Sequence, residues 1–314
     1  MLTRASVFMA IFLLSLNIKA EALHYVTSID AFRLSSNNFF SILTGTSVTP
    51  LDTPASVASR GGLIYFYDAG LNEVYQYEQA SQKAKPISTR LKKAVSGSRD
   101  LKLYVSDFQE LFVLDTVGGH IMQYDVFGNL IQTYADRLNL NAPQAMCINP
   151  ANRHRFIADK YYSHVIEFGV GGAPVALHGL RESGRTRAGA HIIDMACDDT
   201  SFYVLSSLDK EIKRFDYQGR LVENIKRTQV RHPAAIVLDN KGRLYVADDF
   251  DDTIKIYLHG KYTQTFGGTG SGIGYFRQIK DLWFDELYLS VADSANGRIQ
   301  VFQVDALPSQ VEGK

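Results

Sequence analysis

The chain is poor in cysteine, tryptophan and proline, with two Cys, one Trp and eight Pro in 314 residues. Two cysteines exclude a disulfide-dense mini-domain and a zinc centre built from four thiolates. Net charge is also lacking, because 33 Lys and Arg balance 33 Asp and Glu. Such a chain is neither a disordered polyelectrolyte nor a strongly basic nucleic-acid binder, so no nucleic-acid partner is expected. No Gly-x-Ser-x-Gly, His-Glu-x-x-His or phosphate-loop motif occurs, which leaves the common signatures of hydrolases, metallopeptidases and NTPases unfilled. Asn-x-Ser/Thr sequons are absent as well. What the chain does have is 46% hydrophobic residues, 17 Tyr, 18 Phe and 24 Gly. That composition buries a large core and favours strands with many turns.

Residues 1–22 stand apart. Arg4 precedes a mostly apolar stretch, Ala5–Ile18, and Ala20-Glu21-Ala22 follows as a small-x-small site. This is the pattern of a secretory signal peptide. Ser15 and Asn17 interrupt the stretch, which is short for a bilayer span. Cleavage would leave residues 23–314, with no membrane span, in a periplasmic or secreted location. The missing sequons fit a bacterial origin. Cys147 and Cys197 could oxidise in that compartment, but they are read here as two buried, small apolar side chains.

A repeat organises the rest. Six β-rich runs end at Asp68, Asp115, Asp159, Ser206, Asp248 and Asp293, at intervals of 47, 44, 47, 42 and 45 residues. Six residues after each anchor comes a β-branched residue: Val74, Ile121, Val165, Ile212, Ile254 and Ile299. Three further on comes an aromatic: Tyr77, Tyr124, Phe168, Phe215, Tyr257 and Phe302. Positions three apart in a strand point to opposite faces, so both faces of this strand are expected to be buried. Turns such as Gly128-Asn129 and Gly219-Arg220 then lead to a further strand (130–134, 221–225 and 262–266), and an apolar strand precedes each anchor (234–238 and 279–284). Four strands in about 45 residues is the period of a propeller blade.

The fifth repeat reads HPAAIVLDNKGRLYVADDFDDTIKIY, and the sixth ends LYLSVADSANGRIQVF. Over residues 53–303 the chain resembles the NHL-repeat family, whose pattern runs Pro-x-Gly-Ile-x-Val-Asp, Gly-x-Ile-Tyr-Val-Ala-Asp, Asn-x-Arg-Ile-x-x-Phe. The second repeat lacks the leading Pro, and Ser206 replaces the anchor Asp in the fourth. The resemblance implies an all-β, six-bladed propeller of four-stranded antiparallel blades, with repeats starting near 53, 99, 142, 191, 232 and 277. Length alone allows two domains, whereas six repeats make residues 23–314 one domain. Phe39–Thr44 resembles the fourth-strand segment at 263–268, so it is expected to complete the last blade and remove its exposed edge. Leu23–Leu34 is left as a further strand on that blade or an interaction arm.

Loops leading into the innermost strands, and loops joining second to third strands, share one face of a propeller. Aligned by repeat, the lead-in loops place Arg99, Arg231 and Arg277 at one position and Asp100, His191, His232 and Gln278 at the next. Arg181, Arg185, Arg187, Lys226 and Arg227 add charge nearby, while Asp209, Asp249, Asp251 and Asp252 dilute it. If these loops converge, their cationic rim suits an anionic ligand or an acidic partner surface. Tyr161, Tyr162 and Phe250 lie in second-to-third-strand loops as interface anchors or inter-blade packing.

His191 and His232, with Asp100, are the weak metal candidates. Amidating lyases of the NHL family hold zinc with a His that follows the repeat's Pro. Here Ala55, Gln144 and Ala234 follow Pro54, Pro143 and Pro233, so that ligand set does not transfer. The recurring anchor Asp serves the repeat by accepting backbone N–H groups of the next turn. The Gly-rich segment 267–274 reads as a flexible inter-blade loop, without a helix to bind phosphate. The expected function is a non-enzymatic recognition scaffold with no cofactor, binding a protein, peptide or anionic small ligand on the loop-rich face. A metal-dependent lyase or hydrolase at the channel is the alternative.

Overall fold

The computed structural model describes residues 23–34, 48–87, 100–134, 140–160, 164–180 and 191–305. Their strands form six antiparallel blades, and the six innermost strands pack on one another in a closed ring around a channel. Those inner strands are Pro54–Arg60, Leu101–Val105, Pro143–Ile148, Ile192–Cys197, Pro233–Leu238 and Ile279–Asp285, in blades 1 to 6. Among the described residues, no helix is long and apolar enough to cross a membrane.

The repeat pattern is physically explained. All six β-branched residues and all six aromatics of the third strands are buried, with Val165 and Phe168 on opposite faces of one strand as examples. Each blade's two faces are covered by its neighbours, so apolar side chains are needed on both. The anchors are buried polar residues, and they clamp loops. Asp68 accepts the amides of Gly70 and Leu71 in the following turn and those of Asp52 and Thr53 in the lead-in loop. Asp248 does the same for Phe250, Arg231 and His232. Ser206 keeps the turn half of the job, accepting from Leu208 and Asp209.

Closure uses a different segment from the one expected. Leu23–Ile29 pairs antiparallel with Arg298–Val304, the third strand of blade 6, and so takes its fourth place. Phe39–Thr44 lies outside the described residues. Blade 1 carries six strands rather than four, because Ala31–Leu34 and Val48–Pro50 extend its outer edge. The chain passes from blade 6 to blade 1 within a few residues and is anchored there by Phe32. That ring is buried against Phe66 and Tyr75, at centroid distances of 5.7 and 4.7 Å.

Two other expectations change. Cys147 and Cys197 are joined in a disulfide, with Cα atoms 5.5 Å apart, that ties the inner strands of blades 3 and 4. Cys147 is buried, as read, but neither residue is a free thiol. The Gly-rich segment does connect blades 5 and 6, but it is pinned in place. Arg298 donates to the Gly272 and Tyr275 carbonyls, Asn296 to Gly270, and Gln300 to Tyr275.

Candidate functional site: the channel cavity

An inner strand pairs on one side only, so its other edge presents backbone N–H groups to the channel that must find partners. Five of the six inner strands have an irregularity after their first residue, at Pro54, Pro143, Ile192, Pro233 and Ile279. The next paired residue lies opposite the one preceding the anchor. Around the ring this position holds Ser56, Lys102, Ala145, Asp194, Ala235 and Asp281, with Lys102 in the one regular strand. A girdle of two acids, one cation, one hydroxyl and two alanines results.

The girdle is cross-linked between blades. Asp281 accepts from the Ser56 hydroxyl at 2.5 Å and from the Val57 amide at 3.0 Å, and Ser56 Oγ accepts the Leu103 amide at 2.9 Å. Asp194 accepts the Ile236 amide at 2.8 Å and a bond from the Tyr104 hydroxyl, which itself accepts the Met146 amide. The Lys102 ammonium donates to the Ile193 carbonyl and lies 3.8 Å from Asp194. Burial dominates the electrostatics. It raises Asp281 to about 7, helped by the neighbouring Asp194 charge and opposed by the Ser56 bond and Lys102. Burial likewise raises Asp194, with Lys102 opposing, and pushes the Tyr104 phenol well above its usual range.

On one side of this girdle the channel widens into a cavity of about 240 Å³. Asp194 and Asp281 are at its floor, and residues at or just beyond the ends of the inner strands form its mouth. Tyr104 and Phe108 from blade 2 and Trp283 and Phe284 from blade 6 give the lining an aromatic side, while blades 3 to 5 contribute aliphatic and sulfur-bearing side chains such as Met146, Ile148, Met195, Ile236 and Leu238. Trp283 is fixed by its indole N–H, which donates to the Ser59 carbonyl at 2.8 Å, and by edge contact with Tyr104. At the mouth, Arg60 pairs with Asp107 at 2.9 Å and Asp285 at 3.0 Å. Arg153 stacks on Phe108, which is 62% exposed, with the guanidinium 4.7 Å from the ring centre.

Of the residues singled out from the sequence, only Cys147 and Cys197 line this cavity; the described binding candidates, Asp100, His191, Arg231, His232, Phe250, Arg277 and Gln278, belong to the opposite, lead-in face. There the structure brings three together: the Arg231 guanidinium lies 4.6 Å over the Phe250 ring, and His232 meets the same ring edge-on at 5.3 Å. Phe250 is 51% exposed, and His232 Nδ1 is 3.7 Å from Asp249. Asp100 accepts a bond from the Thr116 hydroxyl, and the Arg277 and Gln278 amides are held by Asp293 and Asp252. His191 is exposed with a left-handed backbone, φ 59°. Among the described residues, no three His, Cys, Asp or Glu side chains converge as metal ligands, so His191, His232 and Asp100 do not form a ligand set. Arg99, Tyr161, Tyr162, Arg181, Arg185 and Arg187 lie outside the described residues. Asp194 and Asp281 were missed, although each lies four residues before an aligned inner-strand end (Asp198 and Asp285). An acid at a position held elsewhere by Ser56, Ala145 and Ala235 was the available signal.

No protein-family model and no curated protein sequence matches the chain. Solved structures do match in shape. A Bacteroides thetaiotaomicron protein of unknown function aligns with TM-score 0.64 and 14% identity, over 82% of this chain and 70% of that one. A streptogramin B lyase aligns with TM-score 0.59 and 11% identity, over 89% and 98%. The virginiamycin B lyase of Staphylococcus aureus aligns with TM-score 0.56 and 11% identity, over 81% and 95%. At these identities the likeness is one of fold.

Proposed function

We propose that this chain is an NHL-type recognition propeller, non-enzymatic and exported, that takes a small ligand into the aromatic end of its channel. The observation carrying this reading is the cavity itself. All six inner strands contribute to it, and its aliphatic and aromatic walls surround a few fixed polar groups, the usual make-up of a small-molecule site. Export is supported by the signal-peptide pattern of residues 1–22 and by the Cys147–Cys197 disulfide, a bond that persists in oxidising compartments. The lyase names of two structural neighbours carry no argument for lyase chemistry here, since at 11% identity the likeness is one of fold. Trp283 is the only tryptophan in the chain and lines the cavity, so its fluorescence reports occupancy directly. In a titration with small cationic, neutral and anionic aromatic compounds, at least one class is expected to give a saturable change in Trp283 emission. A flat response to all three would overturn the reading.

A protein partner on the lead-in face is a second reading, favoured by the exposed Arg231–Phe250–His232 stack. An aromatic held by a guanidinium is pre-organised for contact, and Arg and aromatics are common hot-spot residues. The double change Arg231→Ala and Phe250→Ala is expected to weaken capture of such a partner from an envelope extract by about tenfold. Capture equal to that of the unaltered protein would remove this surface from consideration.

A further inference from the structure

The cavity's charge identifies the class of its ligand. The mouth is balanced: Arg60 is paired with both Asp107 and Asp285, and Arg153 lies over the Phe108 ring. The floor is not balanced. Asp194 and Asp281 share one cation, Lys102, which lies beside Asp194. Among the described residues, Asp281 makes hydrogen bonds but no ion pair. Lys102 reaches it only at longer range. Satisfying the edge amides does not require this charge, since Ser56 does the same for Leu103 with a neutral hydroxyl. An ionised Asp281 therefore lines a cavity that is mainly aliphatic on the side of blades 3 to 5 and carries four aromatic side chains from blades 2 and 6, and the negative faces of aromatic rings attract cations too. With the Trp283 N–H committed to Ser59, what that ring offers a ligand is its π surface and carbon edge.

We propose that the channel cavity binds a small organic cation, an ammonium group carried on a compact apolar body, with the ammonium beside Asp281 and the body against Trp283, Phe284 and Phe108. This deepens the small-ligand reading above and rests on it. The space is that of about eight liquid-phase waters, which suits a body of about ten non-hydrogen atoms. Coulomb attraction to Asp281 and contact with the aromatic rings then act on the same ligand.

Phenyltrimethylammonium and tert-butylbenzene test this, because they share a shape and differ by one charge. Binding to the full mature chain is read from Trp283 emission at pH 8. The cation is expected to bind at least tenfold tighter than the hydrocarbon. Its affinity is expected to fall as the pH drops from 8 to 6, while that of the hydrocarbon stays constant. The groups facing Asp281 are Ser56 from blade 1, Lys102 and Tyr104 from blade 2 and Asp194 from blade 4. Burial holds the Tyr104 phenol well above that range, and acidification can only reduce the negative charge of the two acids. Asp281→Asn is expected to remove the tenfold preference. Should that variant fail to fold, the pH series on the unaltered protein decides. Equal affinity for the two probes overturns the cationic ligand and leaves the small-ligand reading standing. Binding of neither probe also overturns it, and the broader titration above then judges the cavity separately.

Discussion

Replacing Cys147 and Cys197 together by alanine is expected to lower stability by about 4 kcal/mol and the melting temperature by about 7 °C. The bond closes a loop between residues 50 apart, and the entropy it removes from the unfolded chain grows with the logarithm of that length. Reductant should reproduce most of the drop in the unaltered protein and add nothing to the variant. Thermal unfolding with and without dithiothreitol measures both. A variant that melts where the unaltered, unreduced protein melts would mean that the bond does not form in the folded protein. The bond also holds the wall of the cavity, because Cys147 and Cys197 both line it. Weaker ligand binding should therefore accompany the loss of stability.

This bond shows where sequence reasoning reached its limit. A separation of 50 is close to one repeat, so the two cysteines fall near equivalent places on adjacent inner strands. Both residues were read only as buried, small and apolar, because pairing depends on how neighbouring blades stagger, and that is a three-dimensional property. The blades themselves were legible because every repeat must bury two strand faces, which leaves a branched residue and an aromatic at fixed distances from a buried anchor. The closing strand was harder to find. Leu23–Ile29 is an edge strand with several exposed side chains, so it has little hydrophobic pattern to read, and the more apolar Phe39–Thr44 drew the assignment instead. The candidate site was missed for a similar reason. Alignment of the lead-in loops emphasised charged residues near chain turns, whereas the channel is set by one inward position per inner strand. Blade 2 reaches that position without the irregularity seen in the other five, so Lys102 is one residue out of register in a simple alignment.

Between pH 4 and pH 7 the protein is expected to lose stability that Asp281→Asn does not lose. In the folded chain burial raises this carboxyl to about 7, from an ordinary value near 3.9 when unfolded. Below pH 4 it is protonated in both states and has no differential effect. As pH rises, the unfolded chain gives up the proton first, so the unfolded state is favoured progressively. The stability present below pH 4 is lost as pH climbs to the folded value, and the loss levels off above about pH 7. Every tenfold difference in proton affinity between the two states corresponds to about 1.4 kcal/mol, so the loss is at most about 4 kcal/mol. Asp194 is also raised by burial, and its effect has the same sign. Asparagine can still accept from Ser56 and Val57 through its carbonyl, but it cannot ionise. Urea unfolding at pH 4, 6 and 8 should show the difference between the unaltered chain and the variant shifting steadily in the variant's favour. A constant difference would place Asp281 in an ordinary solvated setting and remove the unbalanced charge from the cavity floor. A saturating concentration of an organic cation should restore part of the stability lost at pH 8, because binding then favours the folded, ionised state. That ties the acid's cost to folding directly to its capacity to hold a ligand.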